Sequence, residues 1–186
     1  MEKQLFISIV ERYYPWISCL EKAAFQIHDD VNQKYDHVLP YGFHLKMVAS
    51  FVSRYGYLVA ESEADILALY GSAYLHDTIE DARMTYNDIV KFIDDFRVGS
   101  LVLPEEIKRK LEEQVPEIVY ALTNEKGRNR KERANETYYK GIRDTRFASF
   151  IKMCDRLANI QYTMMFVFAN LSLIHISEPT RLALIS

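Results

Sequence analysis

The chain has 186 residues, 49% of them apolar and 26% charged, with a net charge of −3. That length suggests one domain of ordinary globular composition. The charge offers no global footprint for nucleic acid or an anionic membrane, and no apolar run approaches ~18 residues, so no bilayer span is expected.

In chain order the sequence reads as helix after helix. Residues ~4–14 and ~16–32 carry apolar positions at helical spacing (Leu5, Ile9, Tyr13; Leu20, Ala23, Ala24, Ile27), with Pro15 at the joint. "NQKYDHVLPYG" follows as a loop punctuated by Pro40 and Gly42. A helix from about Phe43 to Tyr55 carries His44 in its first turn, and another is expected over Glu63 to Leu75. Thr85, with Asp88 three residues on, is an N-cap opening Tyr86 to Phe96. Pro104 opens "EEIKRKLEEQ", and a second helix, "EIVYALTNE", is expected after Pro116. A basic loop precedes a helix into Tyr138, and Thr145 to Ala169 is long, apolar and helical. No alternating strand pattern competes, so the fold class expected is all-α. Cys19 and Cys154 sit in apolar helical surroundings, and no signal peptide is visible. Both features fit a reducing, cytoplasmic setting.

"LSLIHISEPTR", Leu171 to Arg181, resembles nothing upstream and reads as a translated transposase sequencing adapter. The expectation is a domain over residues 1–170, with residues 171–186 a processing scar, His175 no ligand, and a natural chain continuing beyond Asn170.

The chemistry gathers around "AYLHDTIEDA", residues 73–82, where an apolar helix ends in one imidazole and three carboxylates. Buried carboxylates are costly unless paired. Neutral imidazole and carboxylate ligands suit Mn, Fe, Co or Zn, and an oxygen-rich mixture favours an octahedral ion. His76 and Asp77 differ by roughly 100° around a helix, so both can reach one ion at its end. His44 and Asp155, the latter in "FIKMCDRLANI", are the partners expected from two other helices, each ~2.0–2.3 Å from the ion. Such an ion lowers the pKa of bound water from 15.7 to about 7. Glu80 and Asp81, one turn on, are placed to orient or deprotonate that water. Each piece alone has an ordinary alternative: His44 as a capping or surface residue, Asp155–Arg156 as an ordinary ion pair, His-Asp as a chance dipeptide. The ordered set, H then HD then D, is what carries the reading.

That set resembles the H…HD…D signature of HD-domain metal-dependent phosphohydrolases, a helical fold. Within them the chain is similar to the hydrolase domain of RelA/SpoT proteins and to stand-alone small alarmone hydrolases. "PYGFH" matches their Pro-Tyr-x-x-His segment, "LHDTIED" their His-Asp-x-x-Glu-Asp box, and "IKMCDRLANI" their Lys-x-x-Asp-Arg-x-x-Asn helix, a similarity running from about Ala24 to Tyr162. The resemblance implies an HD-type helical bundle and a manganese-dependent removal of pyrophosphate from the ribose 3′ position of ppGpp or pppGpp. It implies His44, His76, Asp77 and Asp155 as metal ligands, Glu80 and Asp81 as the groups that handle the water, and Asn159 as a residue that contacts the nucleotide or organises the site. The chain departs from the family before Pro-Tyr, where an Arg-Lys pair is usual. Here "DDVNQKYDHVL" offers Lys34 alone, which leaves base specificity open.

Lys126, Arg128, Arg130, Lys131 and Arg133 lie within eight residues of an otherwise acidic chain. Such a run is ordinarily a solvated face; a polyphosphate substrate would make it a binding loop, because Arg forks match phosphate oxygens bidentately. Nucleic acid is not expected, since no aromatics interleave with the cations. Two rival functions stand beside the alarmone hydrolase. One is another HD phosphatase, acting on a nucleoside monophosphate or a phosphorylated dinucleotide. The other is a ligand-sensing HD module without turnover. Oligomeric state is left open.

Overall fold

The computed structural model describes residues 1–124 and 135–177, with side chains as far as residue 166. The architecture is all-α. Helices α1 (Lys3–Arg12) and α2 (Tyr14–Asp30) meet at a sharp joint. Pro15 sits in the first turn of α2, where a missing N–H costs nothing. A short hairpin follows, β1 (Lys34–Tyr35) against β2 (Leu39–Pro40), antiparallel with Tyr35 opposite Leu39. This corrects the expectation of a plain loop. Asp36 and His37 both take positive φ (48° and 65°) and, with Val38, make a three-residue loop closed by Val38 N donating to Tyr35 O at 3.3 Å. Two-residue strands are too short to show alternation in a sequence.

Helix α3 (Gly42–Tyr55) leads through a 3₁₀ turn (Gly56–Leu58) to α4 (Glu63–Leu75). Every residue from Ala64 to Leu75 is buried. A helix that is apolar all round belongs in the middle of a bundle, and α4 touches α1, α2, α3, α7 (Glu105–Leu122) and α9 (Ala148–Ser177). Its start is fixed by a capping box. Ser62 Oγ accepts from Asp65 N at 3.2 Å, and the Asp65 carboxylate accepts from the backbone N–H of Glu61 and Ser62 at 2.9 and 3.1 Å. Arg146, just before α9, adds a 3.1 Å contact to the same buried carboxylate.

Two smaller helices close the frame. In α6 (Tyr86–Asp95) the expected Thr85–Asp88 capping box is present, and α8 (Glu136–Asp144) opens on Asn135, whose side chain accepts from Tyr138 N at 3.0 Å. Helix α7 corrects a second expectation: it runs unbroken through Pro116, where two helices were expected. An interior proline costs about 3 kcal/mol. Ile107, Leu111, Val115, Ile118, Val119 and Leu122 offset it by staying on one buried line across the proline, each worth about 1.5–3 kcal/mol when fully buried. Helix α9 continues through Ser177, across the expected boundary at Asn170. Both cysteines are free thiols, and burial pushes Cys154 up to about 12, as befits a packing residue. Among the described residues no helix is long and apolar enough to cross a membrane.

Gly71 sets the spacing of the two central helices, because a Cβ there would lie 3.0 Å from Val115 Cγ2. Gly71→Leu is therefore expected to push α7 off α4 and cost about 1–3 kcal/mol, a fall in melting temperature of about 2–12 °C. An unchanged melt would mean that the α4–α7 contact has slack.

Candidate metal centre

Three helix ends and one helix face converge behind the hairpin. Gly42 starts α3 hard against α2, where a Cβ would come within 2.7–2.8 Å of the Phe25 ring. That close approach seats the first turn of α3 and buries His44. His76 and Asp77 follow the last residue of α4. There Thr78 Oγ1 donates to Leu75 O at 2.7 Å and turns the chain into the short helix α5 (Thr78–Asp81). Asp155 and Asn159 lie one turn apart on α9.

The donor atoms face one another. His44 Nε2 is 3.3 Å from His76 Nε2, 3.7 Å from Asp77 Oδ2 and 3.5 Å from Asp155 Oδ1. His76 Nε2 is 2.8 Å from Asp77 Oδ2. An octahedral ion about 2.1–2.2 Å from its donors sets neighbouring donors about 3.0 Å apart and opposite ones about 4.3 Å apart. All four separations fall between those limits or just inside the shorter one. His44, His76 and Asp77 form a mutual trio within 4.8 Å. Asp155 stands just outside that trio and joins it through His44.

The surroundings fit a cation as well. His76 Nδ1 lies 2.9 Å from Ala73 O. Donation to that carbonyl puts the ring proton on Nδ1 and aims the Nε2 lone pair at the cluster, the usual arrangement for a ligating histidine. Burial opposes charge on His76, but the Asp77 carboxylate, with Asp155 behind it, outweighs that and pushes His76 up to about 9. Burial would likewise raise Asp77, yet the two histidines and Tyr41 hold it well below the usual carboxylate range. A positive charge among these donors is thus favoured, whether a shared proton or a metal ion. Asp155, which burial would raise, is brought to about 2 by His44, His76 and Lys152. Its ion-pair partner is Lys152, at 3.2 Å, not the neighbouring Arg156 that the sequence offered.

The remaining expected residues divide. Asp81 is half-buried beside the cluster, and burial and the nearby Asp77 charge raise it above the usual carboxylate range. Glu80 is exposed and accepts from Asn124 Nδ2 at 2.9 and 3.1 Å. Asn159 bridges: its Nδ2 donates to Asp155 Oδ1 at 2.7 Å, and its Oδ1 accepts from Tyr35 Oη at 2.9 Å. It orients Asp155 and is not free to face a nucleotide with both ends. Lys34 is exposed, and strand alternation puts it on the opposite face from Tyr35, whose ring stacks on His44 with centroids 5.0 Å apart. Lys126, Arg128, Arg130 and Lys131 lie outside the described residues.

Four residues escaped the sequence reading. Tyr41 donates to Asp77 Oδ2 at 2.5 Å, Tyr35 covers His44, Lys152 neutralises Asp155, and His28 stacks on Tyr41. Tyr41 was legible as part of "PYGFH", and Lys152 as an i, i+3 partner of Asp155. Nothing in the sequence marked Tyr35 or His28.

His28 carries a pH consequence. Burial lowers it from 6.5 to about 4, against the pull of Asp77 and Asp29 and with the help of His76 and His44. Between those two values the unfolded chain binds a proton that the folded one refuses. The stabilisation is thus complete above pH 6.5 and is lost as the pH falls to about 4, about 3 kcal/mol in all. Asp77 and Asp155, both lowered, add their own loss only in the carboxylate range below about pH 4. Melts of the wild type and His28→Phe at pH 7 and 4.5 check this, the variant being expected to lose less stability on acidification. Equal losses would assign the acid limb to other groups.

No protein-family model, curated protein or solved structure matches the chain.

Proposed function

We propose that this protein is a divalent-metal-dependent phosphohydrolase of the HD type, and that its reaction is release of pyrophosphate from the 3′ position of ppGpp or pppGpp. The observation that carries the metal half is the facing of His44 Nε2, His76 Nε2 and Asp77 Oδ2, with Asp155 beside them, at separations suited to one ion. The substrate half rests on the motif resemblance. These four residues would hold the ion, and the mixed nitrogen and oxygen set suits manganese. When bound, a divalent ion supplies Lewis acidity toward water and toward a phosphoryl oxygen.

The chain's own groups do the rest. Asp81, half-buried beside the cluster with its carboxyl raised by burial and by Asp77, is the group placed to take a proton from an attacking water. Glu80, tethered by Asn124, lies toward solvent, where it can steer that water. Lys152 and Asn159 keep Asp155 ionised and aimed.

A substrate panel with added Mn²⁺ tests the reading. Pyrophosphate released from ppGpp supports it. Orthophosphate from a nucleoside monophosphate or a phosphorylated dinucleotide would replace it with another phosphatase, and nucleotide binding without release would replace it with a sensing module.

A further inference from the structure

The ring of Tyr41 is caged. It stacks on His28 with centroids 4.3 Å apart and an interplanar angle of 20°, and meets Tyr35 and His44 edge-on at 6.3 and 5.6 Å. His28 is fully buried, and neither ring nitrogen has a hydrogen-bond partner. An imidazole that satisfies neither nitrogen is an expensive way to fill a core. What it does offer is a flat face fixed against the Tyr41 ring. Tyr41 in turn aims its hydroxyl at Asp77 Oδ2, the same oxygen that faces His76 at 2.8 Å and His44 at 3.7 Å.

We infer that His28 and Tyr41 form a positioning pair: His28 clamps the Tyr41 ring, and the Tyr41 hydroxyl holds the metal-facing oxygen of Asp77 in line with the two histidines. The inference rests on the metal half of the function proposed above. A carboxylate ligand has two oxygens and a free torsion, and a hydrogen bond to the coordinating oxygen removes one way of turning away. Partners of this kind typically govern metal affinity by 10–100-fold. His28 acts only through the ring. Its nitrogens have no hydrogen-bond partner, which separates this role from that of a further ligand.

The test is Mn²⁺ titration of metal-stripped full-length protein, followed by the signal of free Mn²⁺ in paramagnetic resonance. Tyr41→Phe keeps the ring and its stacking and removes only the hydroxyl. Its Mn²⁺ affinity is expected to fall about 10–100-fold while its melting temperature without metal changes little. His28→Phe keeps a stacking face and should bind Mn²⁺ like the wild type, whereas His28→Ala, with no face, should resemble Tyr41→Phe. Wild-type affinity in Tyr41→Phe would overturn the pair while leaving the metal reading standing. Lost affinity in His28→Phe, with its fold intact by circular dichroism, would overturn the clamp and make His28 a nitrogen donor. A wild-type protein that takes up no Mn²⁺ would overturn the metal reading and this role with it.

Discussion

Asp77→Asn is expected to lose Mn²⁺ almost completely, and turnover with it. The substitution removes the anionic donor of the trio and leaves a neutral oxygen in its place. A ligand charge worth about 4 kcal/mol corresponds to roughly 10³-fold in affinity. The fold should survive, because losing the Asp77 carboxylate removes the main group that favours charge on the buried His76. Metal content by elemental analysis, read beside the melt, checks both halves. A variant that keeps its metal would remove Asp77 from the ligand set, and one that unfolds would make the residue structural first.

The second large effect concerns Asp81. Asp81→Asn should leave metal content near that of the wild type and lower turnover about 10²–10⁴-fold, the usual scale for a positioned acid–base group. Glu80→Gln should do less. Glu80 is exposed and tied to Asn124, whereas Asp81 sits half-buried with its carboxyl raised by its surroundings. Steady-state kinetics on ppGpp at saturating Mn²⁺ separates the two residues. If Asp81→Asn instead empties the protein of metal, the residue is a ligand.

What the sequence could show followed from how local each signal is. The capping boxes at Ser62–Asp65 and Thr85–Asp88 involve neighbours three residues apart. The first was missed and the second read correctly from the same chemistry. Helix α4 announced its central place through an unbroken apolar run. Pro116 misled because its penalty is local, while the burial that offsets it comes from α4 and α6, distant in sequence. The hairpin at Lys34 to Pro40 rests on two positive-φ residues and four paired ones, too few to leave a pattern. At the site, histidine and carboxylate positions were legible because their chemistry is rare in an apolar helix. Tyr35 and His28 were not, since an aromatic residue in a helical protein is ordinarily core. Only the fold brings Tyr35 to Asn159, 124 residues away.

The central claim is that His44, His76, Asp77 and Asp155 hold one catalytic divalent ion. It is tested most directly by stripping the wild type with chelator, adding Mn²⁺ back in steps, and measuring bound metal and pyrophosphate release from ppGpp on the same samples. The account predicts one ion per chain, no release from the stripped protein, and release that rises in proportion to bound Mn²⁺ and ends at that single ion. Hydrolysis unaffected by the chelator, or Mn²⁺ uptake that persists in a His44→Ala, Asp77→Asn double variant, would contradict it.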